Sequence, residues 1–169
     1  INPDGNTNTI TQVAHLRRSG TIDEVTQKAT YTPWITDNWA EYDTPQISGY
    51  TPSPAKVLAT KVDGNTQNQT VTITYSANDQ STTAKFVDDD NNGAQVGDTV
   101  TLNGKTDQTI NTGLKVPDNY ELAKDQTLPE TYKFKANGND PIVIHLVHAT
   151  KPDTNDNNLN KTVTRTINV

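Results

Sequence analysis

QTVTITY at residues 69–75 has a counterpart in PIVIHLV at residues 141–147, and each stretch follows a tyrosine at nearly the same distance. Measured to the first valine or isoleucine of each stretch, the distance is 21 positions from Tyr50 and 22 positions from Tyr120. A sequence that resembles itself at a regular spacing is interpreted first as a repeat architecture. The chain is therefore predicted to contain two related half-units, each closed by one of these strands.

The composition predicts a β-rich chain with small cores. Only 31% of the 169 residues are hydrophobic, which favours two small cores over one large core. The sequence contains 29 threonines and 19 asparagines. Threonine suits the pleated, half-buried surface of a strand, and asparagine suits turns because it bonds its own backbone and tolerates positive φ.

Charge and cysteine content exclude several classes of function. The chain has no cysteine, which excludes disulfides, thiolate metal sites and thiol catalysis. Its net charge of −6 argues against nucleic acid, whose phosphates require a basic surface. No apolar run approaches the roughly 20 residues that cross a bilayer, and no signal peptide opens the chain. The composition favours a location outside a Gram-positive cell, although proteins of similar composition also occur inside cells. We expect the chain to be part of a larger exported protein.

The first half is predicted to form strands separated by turns. Residues 9–18 alternate in polarity and predict one arm of a hairpin, and residues 29–34 predict a strand that ends at a proline. Residues 37–42 predict a short helical turn capped by an aspartate or asparagine. Residues 70–75 predict the closing strand of this half.

The second half is predicted to follow a β-grasp order, which is a hairpin, a short helix and then further strands. Asn92-Gly93 predicts a hairpin turn because both residues accept positive φ. Residues 105–114 predict the helix, since Ile110 and Leu114 are spaced four apart and a glycine lies near the end. Strands are predicted at residues 83–87, 98–102, 120–123, 132–135 and 142–148.

A short polar run marks the predicted junction of the two half-units. Residues 76–81 are too few to let the halves tumble freely, so an elongated tandem is expected. The predicted domains are residues 1–76, residues 77–150, and a linker with a further strand at residues 151–169.

Several of these stretches resemble a known family. TQVAHLRRSGTIDEVT at residues 11–26, the pair Trp34 and Trp39, and SGYTP at residues 48–52 are similar to a mucus-binding (Mub) repeat of the surface adhesins of lactic acid bacteria. FVDD at residues 86–89 and the strand at residues 142–148 resemble the mucin-binding domain, MucBP, that ends each such repeat. The stretch TVTRTINV at residues 162–169 resembles the opening of a following repeat.

The resemblance implies a fold, a location and a function. It implies a β-rich α+β fold made of an elongated tandem of two ubiquitin-like β-grasp subdomains, in a cell-wall-anchored adhesin with many repeats. It implies adhesion to mucin glycoproteins of host mucus, and some family members are also associated with immunoglobulin binding. An immunoglobulin-binding module and a passive stalk are the alternatives.

One motif resembles a calcium-binding loop. Asp88, Asp90 and Asn92, followed by Gly93, place oxygen-bearing side chains at alternate positions, as in the first half of such a loop. The match then fails, because Thr99 stands where a bidentate glutamate is required. The three residues remain a calcium candidate, and the alternative is a solvated hairpin turn.

The sequence contains little that predicts catalysis. His15, His145 and His148 have no evident partners, and no serine lies in a Gly-x-Ser-x-Gly turn. Many acidic residues are present, but no spacing singles out a pair that would cleave a glycosidic bond. We therefore predict that the chain is not an enzyme.

Aromatic and arginine residues of the first half are candidates for ligand contacts. Aromatic faces are platforms for sugar rings, but the chain has few aromatic residues, so a small core is the favoured interpretation of this cluster. The cluster comprises Tyr31, Trp34, Trp39, Tyr42 and Tyr50. Arg17 and Arg18 suit the carboxylates or sulfates of mucin glycans, although adjacent residues of a strand point to opposite faces.

The tail predicts one contact between molecules. If the first subdomain normally begins with a strand like residues 161–169, its sheet has an open edge that a neighbouring tail can fill. This would be a head-to-tail contact through the C-terminal strand.

Overall fold

Strands make up nearly all of the regular structure in the computed structural model, which describes every residue from Ile1 to Val169. The strands are β1 (Gly20–Ile22), β2 (Ala29–Tyr31), β3 (Asp37–Trp39), β4 (Tyr42–Asp43), β5 (Tyr50–Ser53), β6 (Lys56–Val57), β7 (Thr60–Val62), β8 (Thr74–Ala77), β9 (Asp79–Asp88), β10 (Ala94–Lys105), β11 (Thr109–Asn111), β12 (Tyr120–Leu122), β13 (Thr131–Lys133) and β14 (Ile142–His148). A 3-10 turn at Asp89–Asn91 and a single-turn helix, α1 (Asp156–Leu159), complete the list. No helix of the chain has the length and apolar character that spanning a membrane requires. The β-rich prediction is confirmed.

The chain divides into two compact units. The first unit comprises Ile1–Gln80, Asn103–Thr109 and Lys133–Asn139. The second unit comprises Ser81–Leu102, Ile110–Tyr132 and Asp140–Val169. Each unit is therefore assembled from segments that are distant in sequence.

The first unit is built from short antiparallel pairs, each with only two strands. The pairs are β1 with β2, β3 with β7, β4 with β6, and β5 with β8. Few apolar side chains of this unit are buried, and they include Val62 and Phe134. The ring of Phe134 lies over Gly104, where an added Cβ would come within 2.3 Å of Cε2. A glycine is therefore required at residue 104 if Phe134 is to pack.

The second unit is organised by a four-stranded sheet in the order β10-β9-β14-β12. The two central strands, β9 and β14, run parallel, with Ile144 opposite Phe86. Because side chains alternate between faces along a strand, the apolar residues at alternate positions of β14 project to one side. Phe86, Ile144 and Leu146 form the buried core there. Burying each of them contributes about 1.5–3 kcal/mol to stability.

The predicted helix at residues 105–114 is wrong. β10 continues to Lys105, a turn follows with Asp107 at φ 64°, and β11 then occupies Thr109–Asn111. One apolar pair at helical spacing does not outweigh the threonines in this stretch, because branched side chains favour strands. Thr112 is buried and donates its hydroxyl to the carbonyl of Pro129 at 2.6 Å, a contact that an isolated helix would not provide.

Three predictions for the first half are also wrong or displaced. Residues 9–16 form no strand, although Arg17 makes an isolated antiparallel bridge with Ile35. The predicted helical turn at residues 37–42 is absent, because β3 and β4 occupy most of this stretch, and the closing strand begins at Thr74. Alternating polarity therefore did not produce a strand where no partner strand was available.

Several local predictions are confirmed. β14 covers the predicted residues 142–148, and β12 lies within residues 120–123. Asn92 and Gly93 have positive φ values of 53° and 74° at the predicted hairpin turn. Residues 161–169 carry no regular structure and are exposed. That they form the first strand of a following repeat stays a prediction.

Candidate functional site

The acidic turn that follows β9 is the first candidate site, and we call Asp88, Asp89 and Asp90 the acidic turn. Asp88 is only 3% exposed and ends β9. Its Oδ1 accepts the backbone N–H of Asp90 at 3.0 Å, which caps the 3-10 turn. Asn92, the third residue of the calcium candidate, lies at the other end of that turn in a left-handed conformation.

Two histidines of β14 contact the acidic turn. Nε2 of His148 lies 3.0 Å from Oδ2 of Asp88, and Nδ1 of His145 lies 2.7 Å from Oδ1 of Asp89. The backbone N–H of His148 donates to Oδ2 of Asp90 at 2.8 Å. The expectation that His145 and His148 lack partners is wrong. It considered only residues close in sequence, whereas the partners are more than fifty residues away.

Asp88, Asp90 and His148 bring three potential metal-ligand atoms within 4.8 Å of one another. N–H groups of the chain, however, already occupy oxygens of both carboxylates. Calcium prefers six to eight oxygen ligands, and His148 offers a nitrogen in the place of an oxygen. The geometry therefore favours a structural clamp between the ends of β9 and β14 over a calcium loop.

An arginine stacked on two aromatic rings is the second candidate site. Cζ of Arg18 lies 4.0 Å from the centroid of the Tyr31 ring and 4.4 Å from that of the Trp34 ring. Tyr31 is 60% exposed and Trp34 is 42% exposed. We call Arg18, Tyr31 and Trp34 the Arg18 bracket. Each exposed cation–π contact contributes about 0.5–1 kcal/mol.

Backbone pairing positions the Arg18 bracket. Gly20 of β1 is paired with Tyr31 of β2. On the far side of Arg18, the N–H of Ile35 donates to the carbonyl of Arg17 at 2.7 Å. Residues 17–20 are thus held alongside residues 31–35, and Arg18 lies between the two anchored ends.

Two glycines allow the rings to lie close to the backbone. A Cβ added at Gly20 would come within 2.7 Å of Cδ1 of Tyr31, and one added at Gly64 would come within 2.2 Å of Cδ1 of Trp34. Any larger residue at either position would displace a ring of the Arg18 bracket. The sequence interpretation missed these two supporting glycines, because a glycine under a ring has no local signature.

The turn that carries Gly64 is itself stabilised by a carboxylate. Oδ1 of Asp63 accepts the N–H of Asn65 at 2.9 Å, and the hydroxyl of Thr66 lies 3.2 Å from the same oxygen. The N–H of Asn65, followed by the Thr66 hydroxyl, lowers the pKa of Asp63 below its ordinary value of 3.8. Asp63 is therefore ionised at neutral pH and holds the turn beneath Trp34.

The predicted aromatic core of the first half is wrong for Tyr31 and Trp34, which are exposed. Trp39, Tyr42 and Tyr50 are half-buried. Trp34, Trp39 and Tyr42 also line an open depression of about 1450 Å³ in the first unit. With few aliphatic side chains buried beside them, the rings form a surface and not a closed core.

Arg17 and Arg18 have different surroundings. The guanidinium of Arg18 lies over the two rings, and no hydrogen bond or ion pair of the chain uses its N–H groups. Arg17 takes part in the structure through its backbone, as the bridge partner of Ile35. The structure thus does not join the two arginines into one clamp.

Comparison with known proteins assigns both halves of the chain to domain families. Residues 1–79 match the Muc B2-like domain, and residues 80–148 match the mucin binding domain. A solution NMR structure of a domain of adhesion exoprotein from Pediococcus pentosaceus is 37% identical, with 46% of this chain and 97% of that chain covered and a TM-score of 0.36. No curated protein matches the chain.

Proposed function

The chain belongs to the Muc B2-like and mucin binding domain families, and from this premise we propose that it binds mucin glycoproteins as one module of a bacterial surface adhesin. The observation that carries the proposal is the mucin binding domain at residues 80–148, directly after the Muc B2-like domain. The module acts outside the cell, in a parent protein that we propose is anchored to the cell wall. It binds without a catalytic step.

The surface of the first unit supports a carbohydrate ligand. Sugars are recognised by exposed aromatic faces next to hydrogen-bond donors. Tyr31 and Trp34 are exposed, and Arg18 brings donors that no group of the chain uses. A surface made of these three side chains contacts one or two sugars, so the affinity of each module should be weak. Several linked modules would bind far more tightly, because each bound module raises the effective concentration of the next.

Retention of the purified chain on immobilised mucin tests the proposal. The matched surfaces are intact mucin, the same mucin after removal of its O-glycans, and immunoglobulin. We expect binding to intact mucin that is lost when the glycans are removed. Equal binding before and after glycan removal would show that the ligand is not a glycan. Absence of binding on all three surfaces would favour a passive stalk.

Immunoglobulin binding is the second candidate, and one feature of the sheet favours it. β10 is a twelve-residue strand at the edge of the four-stranded sheet, and most of its residues are exposed. A long open edge can pair with a strand of another protein. Binding to immunoglobulin that persists in the presence of excess mucin would support this alternative.

We also propose that the second unit is a β-grasp domain. The sheet order supports the proposal, since β9 and β14 form a central parallel pair, β12 is antiparallel to β14, and β10 lies at the other edge beside β9. The crossing segment departs from it, because it contains β11 in place of a helix. An experimental structure in which residues 106–119 cross the opposite face of the sheet from Leu146 would exclude a β-grasp.

A further inference from the structure

We propose that the Arg18 bracket is the subsite for the negatively charged group of an acidic sugar, either a carboxylate or a sulfate ester. This inference rests on the proposed binding of mucin glycoproteins and names the part of the glycan that is recognised. Arg18 binds the anion, while Tyr31 and Trp34 hold the guanidinium and contact the sugar ring through their exposed parts.

The unused donors of Arg18 are the first reason. A guanidinium carries five N–H groups in one plane, arranged as a fork that fits two oxygens of an anion. In this chain the Arg18 guanidinium lies over two aromatic rings, and no carboxylate or carbonyl accepts a hydrogen bond from it. The N–H groups that point away from the rings are therefore available to a ligand that brings its own negative charge.

The fixed position of Arg18 is the second reason. A free arginine on a surface loses side-chain rotamer entropy when a ligand immobilises it. The two ring contacts, at 4.0 and 4.4 Å, restrict the side chain before a ligand arrives. The rings in turn rest on Gly20 and Gly64. A preorganised fork loses less entropy on binding, so it binds an anion more tightly than a free arginine does.

The aromatic surroundings favour a sugar over other anions. The exposed parts of Tyr31 and Trp34, which neither Arg18 nor a glycine covers, offer apolar surface for the C–H groups of a pyranose ring beside the fork. Trp34 also lines the depression of about 1450 Å³, which has room for further sugars of the same glycan. A small inorganic anion would use the fork and leave this apolar surface uncovered.

Charge explains why the contact should be specific and weak. The chain carries a net charge of −6, which repels anions in general. Arg17 and Arg18 are adjacent and give this part of the chain a local positive charge. Because the site is exposed, salt should screen the contact strongly. We expect a dissociation constant on the order of 1 mM for a single sugar.

The test is a titration of the full chain with defined oligosaccharides. Binding is monitored through the NMR signal of the Trp34 indole N–H. The ligands are a neutral oligosaccharide, the same oligosaccharide with a sialic acid carboxylate, and the same oligosaccharide with a sulfate ester. The variants are Arg18→Gln, Arg18→Lys and, as the matched control of equal charge change, Arg17→Gln. Thermal unfolding of each variant verifies that it folds.

The expected result is that one or both acidic oligosaccharides bind at least tenfold more tightly than the neutral one. This preference should be lost in Arg18→Gln, weakened in Arg18→Lys and kept in Arg17→Gln. The carboxylate and sulfate arms identify which anion is used. An equal loss in Arg17→Gln and Arg18→Gln would overturn the inference in favour of bulk charge, and an unchanged preference in Arg18→Gln would overturn it outright.

Failure of this inference is distinguishable from failure of the proposed function. If the chain binds intact mucin and Arg18→Gln binds it equally well, mucin binding stands and the Arg18 subsite is wrong. If the chain does not bind mucin but shows the Arg18-dependent preference for acidic oligosaccharides, the subsite stands and the proposed partner is wrong.

Discussion

Nε2 of His148 lies 3.0 Å from Oδ2 of Asp88, which joins the last residue of β14 to the last residue of β9. The ring of Tyr120 meets the His148 ring edge-on, at a centroid distance of 5.7 Å. The two central strands of the second unit are thus held at their ends by side chains as well as by backbone pairing. This clamp also sets the position of the acidic turn.

Replacement of Asp88 should destabilise the chain. Asp88→Ala removes both the cap of the 3-10 turn and the partner of His148, and we expect a loss of about 1–3 kcal/mol in the free energy of unfolding. Asp88→Asn keeps a capping oxygen and should cost less. Urea denaturation measures both, with the exposed Asp98→Asn as control. Equal stability of Asp88→Ala and the control would contradict the clamp.

The core of the second unit predicts a strong contrast within one strand. Leu146 is 0% exposed and Val143, on the same strand, is 40% exposed. Leu146→Ala should lower the free energy of unfolding by about 2–5 kcal/mol because it leaves a cavity. Val143→Ala should cost much less. Similar losses at the two positions would show that β14 does not present one buried face.

The phenol of Tyr50 predicts a dependence of stability on alkaline pH. Tyr50 donates a hydrogen bond of 2.7 Å to Oδ2 of Asp107, and this bond raises the pKa of Tyr50 above its ordinary value of 10.0. The stabilisation is therefore fully present below pH 10.0 and is lost as the pH rises through the folded pKa. Absorbance of tyrosinate during alkaline titration should contain a late component from Tyr50, which Tyr50→Phe removes. A titration unchanged by Tyr50→Phe would exclude this assignment.

The carboxylate of Asp63 predicts an effect of acid on the Arg18 bracket. Its lowered pKa means that the stabilisation is present above pH 3.8 and is lost as the pH falls through the folded pKa. Protonation should loosen the turn that carries Gly64 beneath Trp34. Fluorescence of Trp34 in a Trp39→Phe background should change in this acidic range. The fluorescence change should be absent in Asp63→Ala. If the change persists in that variant, another titrating group causes it.

Calcium should have little effect on this chain. A calcium ion at Asp88, Asp90 and Asn92 would compete with the N–H groups that already occupy the carboxylates. We expect the melting temperature to be the same with millimolar calcium and with a chelator. A rise with calcium that disappears in Asp90→Asn would instead establish the calcium loop that the sequence motif suggests.

Glycine substitution offers a direct test of how the Arg18 bracket is built. Gly64→Ala places a methyl group where the Trp34 ring now lies, so the ring must move. We expect altered Trp34 fluorescence in the Trp39→Phe background, while Asn65→Ala in the same turn should leave it unchanged. An unaltered spectrum in Gly64→Ala would mean that Trp34 does not rest on this glycine in solution.

The sequence by itself determined the β-rich class, the closing strand at residues 142–148, the Asn92-Gly93 turn and the resemblance to mucin-binding repeats. These features depend on neighbours in the chain. A branched residue favours a strand wherever it lies, and an asparagine-glycine pair turns because of its own φ preferences. Local patterns failed at residues 105–114 and 9–16, where helical or strand character depended on partners elsewhere.

Only the tertiary structure decided which side chains meet. Asp88 and His148 are separated by 60 positions, and Gly64 lies beneath a tryptophan from another segment. The Arg18 bracket likewise required the pairing of β1 with β2 and the bridge from Arg17 to Ile35. Such contacts follow from the three-dimensional path of the chain, because two residues that are distant in sequence interact only after the intervening segment has folded back.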